Sequence, residues 1–391
     1  MTAISNATTP PAVVVGLCAH GLAVARALDA CGVRVHALEQ DPSLPGVRSR
    51  SAQVSLVRDI NGDGLIPALI DRARQLGGST RPVLFLTNDN MVRTIADAWP
   101  EIAAHYRLSW AECRAEVREL LEKSRLESRC ATTGSAYPRS MLVDAATNLG
   151  DVETQLELPV IAKPVRPLSS FKVRVLATVD ELARLRAEHA EALPFLVQSY
   201  IPGGDERIRF CALYLDGGRE VARFDGRKLR SRPMGHTTIA EPSWSEPVHE
   251  ETLRFLGGLE LTGPVSVEWK LDPSDRPWII EPTVGRTDFW IDVCIANGVN
   301  LPWIEYSHQA GLPLPQARQK YDRTWINTER DPAALTWWAG QVARRRASAG
   351  RPRFPYLSAA DPCPVPQATW RAAQRLLRRL GAMPRATGRS S

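Results

Sequence analysis

The sequence predicts an α/β protein: a parallel, helix-covered sheet at the N-terminus, followed by α+β lobes built from hairpins and helices. Three observations predict it. Residues 12–38 read as strand, helix and strand, a βαβ unit that obliges a parallel sheet with helices packed on it. Residues 207–224 read as two strands around a turn at Asp216, Gly217 and Gly218. Residues 265–282 repeat that pattern around Asp272 to Asp275.

The chain has 391 residues, enough for two or three domains. No run of 18 or more apolar residues occurs, so no transmembrane helix is expected. The opening MTAISNATTPP has neither a basic nor an apolar leader region, which argues against a signal peptide; the first ten residues are expected to be disordered. Seven scattered cysteines with no CxxC pair fit reduced thiols in a cytoplasmic protein better than a disulfide framework or a zinc site. The net charge of +6 is uneven: from Asp331 onward eleven arginines face two aspartates, leaving the preceding body near −3. Basicity confined to a tail does not point to nucleic acid.

In chain order, Ala12 to Gly16 is a buried strand, Leu22 to Cys31 a helix closed by Gly32, and Val33 to Leu38 a second strand. Gly16 and Gly21 do not form GxGxxG, so the dinucleotide fingerprint fails and a nicotinamide oxidoreductase is disfavoured. A strand at 82–86 leads into Thr87 to Asn90, just past its carboxyl end, where open α/β sheets bind ligands. Asp89 or Asn90 could equally cap the helix from Met91 to Trp99. The helical stretch 110–128 carries Lys123, which alone reads as a solvated charge. At 158–164 an apolar strand delivers Lys163 into a buried setting, where an ammonium requires a negative partner; a nucleotide phosphate would serve. After a helix at 179–192, a strand enters a Pro-Gly-Gly turn at 202–204, suited to a hinge between lobes. Residues 226–235 are dense in cations, ordinarily a solvated face, and 289–311 is helical in two pieces broken at Gly298. The tail holds Trp337, Trp338 and an amphipathic helix from Trp370 to Leu380. That helix is expected to pack its apolar stripe on its own domain; contact with an acidic membrane surface is the less favoured reading.

In the second hairpin, alternation sends Val265, Val267 and Trp269 to one face and Ser266, Glu268 and Lys270 to the other. Glu281 follows the apolar run 278–280. Paired, Glu268 and Glu281 come close, and two close carboxylates repel unless a cation sits between them. Mg2+ suits such a site, since one or two carboxylates hold it while substrate phosphates supply further oxygens. The plainer reading makes Glu268 a solvated strand residue and Glu281 a strand end.

Glu268, Glu281 thirteen positions later, Thr283, and the segment Gly285, Arg286 and Thr287 together resemble the metal-binding hairpin of the ATP-grasp superfamily, in its carboxylate-amine ligase branch. The family usually has Asn where Thr283 stands, and many members have Arg where Ser266 stands. The resemblance spans roughly residues 12–315. It implies a Rossmann-like pre-ATP-grasp domain at 11–120, a small ATP-grasp lobe at 121–196, a large lobe with the metal site at 197–320, and a basic helical extension at 321–391. Lys123, Lys163 and Lys172 are implied to reach ATP phosphates, the strand end from Gln198 through Ser199 and Tyr200 to Ile201 to meet the adenine, and Glu206 to take the ribose hydroxyls. Glu268, Glu281 and Thr283 become metal ligands, with Lys228 directed at the γ-phosphate and Arg286 standing in for the transition-state cation. Asn88, Asp89, His236, Thr287 and Asp288 are implied substrate contacts, and a pair such as Ser49 and Arg50 recurs after the second strand of the branch. The implied activity is ATP-dependent joining of a small carboxylate to an amine through an acyl phosphate, with ATP and Mg2+ (or Mn2+) as cofactors. A small-molecule kinase and a non-ligating ATP-binding protein are the alternatives on the same fold. A homodimer through the first domain is left open.

Overall fold

The structure is a computed structural model that describes residues 9–78, 80–165, 170–171, 173–232, 235–346 and 350–381. Its first sheet is four parallel strands, β1 (Ala12–Val15), β2 (Val35–Glu39), β3 (Gln53–Leu56) and β4 (Val83–Phe85), in the order β3-β2-β1-β4. The expected βαβ opening is therefore present, with the helix Ala19–Asp29 between β1 and β2. Chain order reverses between β1 and β4, so the loops after these two strands flank the crevice where such sheets bind ligands. Of the N-terminal stretch expected to be disordered, residues 1–8 lie outside the described residues. Pro10 contradicts the expectation: it is buried, and its carbonyl accepts the Tyr306 hydroxyl.

The second sheet is antiparallel and small: β5 (Ser140–Val143), β6 (Val160–Pro164), β7 (Arg174–Leu176) and β8 (Phe195–Ser199), in the order β5-β8-β6-β7. It has its own core of Val143, Val160, Ala162, Phe195 and Val197, closed by Leu182 and Leu185 of the helix Val179–Glu188.

The third sheet has seven strands: β9 (Ile208–Asp216), β10 (Arg219–Ser231), β11 (Thr237–Pro242), β12 (Gly263–Leu271), β13 (Pro277–Val284), β14 (Arg323–Ile326) and β15 (Arg351–Arg353). They run in the order β13-β12-β9-β10-β11-β14-β15. Both predicted hairpins are there as β9–β10 and β12–β13. Residues 321–391 are helical over Ala334–Ala343 and Pro364–Gly381, and they also lend β14 and β15 to the large sheet. A short parallel strand after a long connection leaves little periodic signal, which is why only helix was legible there.

The basic segment 226–235 is not a solvated face. It largely continues β10, and its side chains are paired: Arg227 with Glu241 at 2.5 Å, Lys228 with Glu268 at 2.5 Å, and Arg230 with Asp331 at 2.6 Å. Helix through 110–128 is also interrupted. It runs Arg114–Leu121, breaks where Glu122 becomes extended, and resumes as Leu126–Thr133, which takes Lys123 off the helix surface.

Cores decide which parts are rigid. Val13, Leu84, Val92 and Trp110 of the first domain pack in one cluster with Val265, Val267 and Trp269 of β12. A second cluster joins Val14 and Phe85 to Phe210, Trp290 and Trp325. The first domain and the large sheet are thus one body, while the small lobe is cored separately.

A candidate active site between two sheets

Strand alternation builds the site. In β6, Val160 and Ala162 are fully buried in the small-lobe core, so Ile161 and Lys163 face the other way, into a cavity of about 280 Å³ between the small lobe and the large sheet. In β12, Val267 and Trp269 face the core, which turns Glu268 and Lys270 to the same cavity. Glu281 of β13 lies directly opposite Glu268 in register, and directly opposed residues share a face. A bulge follows at once: Trp269 pairs with Ile279, leaving Ile280 as an extra residue on β13.

Cations from three other elements converge on this pair. Lys123 Nζ lies 3.1 Å from Glu281 Oε2, and Lys228 Nζ lies 2.5 Å from Glu268 Oε1. Lys163 arrives from β6. Burial would raise the Glu281 carboxyl, but Lys123 and Lys163 outweigh it and hold it down at about 2. Burial pushes Glu268 above the usual carboxylate range, Lys228 offsets only part of this, and nearby Asp288 and Glu281 add to it. Burial brings Lys163 down to about 8, aided by Lys123 against the pull of Glu281. Here the plain reading of Glu268 as a solvated strand residue fails, because it is only 6% exposed.

Gln198, Ser199, Tyr200 and Ile201 line the cavity. Glu206 does not. It is exposed in the short turn Asp205–Arg207, and its carboxylate accepts the Gly204 amide at 3.2 Å; Asp205 lines the cavity instead and accepts the Ser231 amide at 2.7 Å. Lys172 lies outside the described residues. Lys270 is a lining residue to which sequence reasoning assigned no role, although alternation already put it on the face of Glu268. Its ammonium donates to the Gly203 carbonyl at 2.6 Å and lies 4.6 Å from the centre of the Tyr200 ring.

Thr283 shares its face with Glu281 but sits one row further along, opposite Ser266, and neither lines the cavity. Both hydroxyls donate to Asp288 Oδ2, at 3.1 Å from Thr283 and 3.2 Å from Ser266, so Thr283 is engaged away from the carboxylate pair.

Asn88, Asp89, Arg286 and Thr287 gather at the crevice of the first sheet rather than in the cavity lining. Arg286 donates to Asp89 at 2.7 Å, and its guanidinium is not among the groups lining the cavity, where a transition-state role would need it. His20, in the first turn of the helix Ala19–Asp29, bonds Thr287 Oγ1 at 2.8 Å. Burial and Arg286 hold His20 down at about 3, so the ring is neutral at physiological pH. Gly285 makes this junction possible: its φ is +71°, and a Cβ there would lie 2.9 Å from Val92 and 3.0 Å from Trp110. Asn88 caps the helix Asp89–Ile102, its Oδ1 accepting the Met91 amide, and its Nδ2 donates to Asn61. His236 meets Arg330 at 2.7 Å, and Arg330 lies over Phe289; this cluster also stands outside the cavity lining. Ser49 and the Arg50 amide both donate to Asp361, which ties the chain's last segment to the first domain.

Two hard carboxylate donors on one face suit Mg2+. Among the described residues no group of three or more His, Cys, Asp or Glu side chains converges as a complete metal cage.

No protein-family model matches the chain. A D-aspartate ligase of Enterococcus faecium (strain Aus0004) is 24% identical over 302 residues, 70% of each chain. Among solved structures, an ADP complex of N5-carboxyaminoimidazole ribonucleotide synthetase superposes with a TM-score of 0.64 over 88% of this chain and 87% of its own, at 15% identity. An L-amino acid ligase from Bacillus licheniformis gives a TM-score of 0.59 over 81% and 79%, at 14% identity. Superposition over four fifths or more of the chain at these scores shows a common fold: the chain has the ATP-grasp fold.

Proposed function

We propose that this protein joins a small carboxylate to an amine at the expense of ATP, releasing ADP and phosphate, with an amino acid as one substrate. One observation carries the reading: Glu268 and Glu281 stand opposite each other in a cavity that also receives Lys123, Lys163 and Lys228. Such an array serves phosphoryl transfer, where positioning and charge neutralisation do most of the work and no side-chain nucleophile is required. The D-aspartate ligase and the L-amino acid ligase support amide formation between amino-acid-sized partners.

In this reading the adenine lies along Gln198 to Ile201 and the ribose near Asp205. Lys163 and Lys123 meet the phosphates, and Lys228 meets the γ-phosphate. Glu268 and Glu281 would hold Mg2+, which supplies charge neutralisation at the β- and γ-oxygens. A carboxylate oxygen of the first substrate attacks the γ-phosphorus and displaces ADP. The amine then attacks the acyl carbon and expels phosphate. Lys123 and Lys228 neutralise the metal carboxylates in the structure described here, and they are free to turn to phosphate once these carboxylates engage the ion. Asp288, tied to Ser266 and Thr283, orders the end of the hairpin beside Glu268, and the crevice around His20, Asp89 and Thr287 is where the two substrates would approach. The membership of the cavity is what a screen can test: phosphate release with amino acids paired as donor and acceptor, followed by mass analysis. A product heavier than either substrate by the other minus water supports ligation; no phosphate release across the panel counts against it.

A further inference from the structure

The last helix is docked by the opposite edge from the one its sequence suggests. Over Pro364–Gly381 each residue advances by about 100°. The inward edge carries Ala368, Arg371 and Arg375, with both arginines bonded to buried Glu329, at 2.9 and 3.3 Å. Gln367 and Arg371 add bonds to Ser43 of the first domain. The opposite edge carries Trp370, Leu376 and Leu377, which are 57%, 48% and 66% exposed. The apolar stripe therefore points to solvent, and the expectation that it packs on its own domain is overturned. The inward edge is held by both kinds of contact: the two arginines on Glu329, and Ala368 packed with Ala19, Leu22 and Tyr356.

Charge identifies what covers the stripe. From Pro362 to Ser391 there are six arginines and no acidic residue; two of the six are paired with Glu329, and Arg378, seven residues after Arg371, is exposed on the Arg371 side of the helix. A second copy would bring the same positive charge against it. An anionic lipid surface supplies the opposite charge together with an apolar layer for Trp370, Leu376 and Leu377. No helix among the described residues is long and apolar enough to cross a membrane, so the contact lies in the interface plane. We propose that the helix Pro364–Gly381 attaches this protein peripherally to an anionic lipid bilayer by its outward face.

The test is co-sedimentation of the full chain with vesicles of phosphatidylglycerol and phosphatidylcholine, against vesicles of phosphatidylcholine alone. Binding is expected to the anionic vesicles only, to weaken at high salt, and to fall by about tenfold or more in the Trp370→Ser, Leu377→Ser double variant. Both residues are exposed, so the variant keeps its fold and its activity in solution. Absence of binding to anionic vesicles, equal binding to neutral ones, or undiminished binding by the double variant would overturn the proposal. So would a dimer by light scattering that the double variant abolishes, since a second copy would then be the occupant.

Discussion

Lys123 Nζ sits 3.1 Å from Glu281 Oε2, so a lysine from a turn between two helices neutralises a carboxylate from the edge strand of the large sheet. Together with the Lys228–Glu268 pair, it means each candidate metal ligand already has a cation of its own. Metal alone must compete with these ammonium groups, whereas metal with nucleotide offers the lysines phosphate in exchange. Mg2+ affinity measured by calorimetry is therefore expected to rise at least about tenfold when ADP is present; equal affinity without nucleotide would contradict this.

Glu281→Gln removes the carboxylate that Lys123 and Lys163 hold ionised. The variant should remain folded by circular dichroism and lose ADP release by a factor of about 10² to 10³, the usual cost of a preorganised charge contact. Unchanged ADP release would remove Glu281 from the chemistry.

The Lys228–Glu268 pair gives a stability test. Both side chains are less than a tenth exposed, so Lys228→Met strands a buried carboxylate and is expected to cost about 3 kcal/mol in urea unfolding. Adding Glu268→Gln should recover much of that loss, and strictly additive losses would show that the two groups are not coupled.

Lys163 sets a pH dependence. Its ammonium titrates at about 8 in the folded chain against 10.5 for a free lysine. Below pH 8 both states hold the proton. Between pH 8 and 10.5 only the unfolded chain holds it, so this residue makes stability rise with pH across that window. Nucleotide phosphate favours the charged form, so ADP binding should take up a proton near pH 8.5, seen by calorimetry in buffers of different ionisation enthalpy. Lys163→Arg should abolish the uptake, because arginine stays charged at that pH.

Gly285→Ala places a side chain at φ +71° and against Val92 and Trp110. A loss of at least about 1–2 kcal/mol is expected from the left-handed backbone alone, read as a lowered urea midpoint. A neutral result would mean that this junction relaxes freely.

What was legible in the sequence was what period and spacing encode. The βαβ opening, the two hairpins, the Glu268–Glu281 register and the inward turn of Lys163 all follow from alternation and survive in the structure. What period and spacing do not encode is which partner a side chain finds outside its own element. Arg286 meets Asp89 across 197 positions, Thr283 is drawn to Asp288 beyond the strand end, and Arg371 finds Glu329 across 42. Glu206 and Asp205 are neighbours in one turn, and only its backbone path decides which of them faces the cavity. Neither composition nor periodicity encodes such choices.

Hydroxylamine trapping tests the central claim most directly. With ATP, Mg2+ and a competent amino acid, but no amine acceptor, the wild-type protein should yield the hydroxamate of that acid in step with ADP, and Glu281→Gln should yield neither. ADP formation with a stable phosphoester and no hydroxamate would contradict an acyl phosphate and leave a kinase on the same fold.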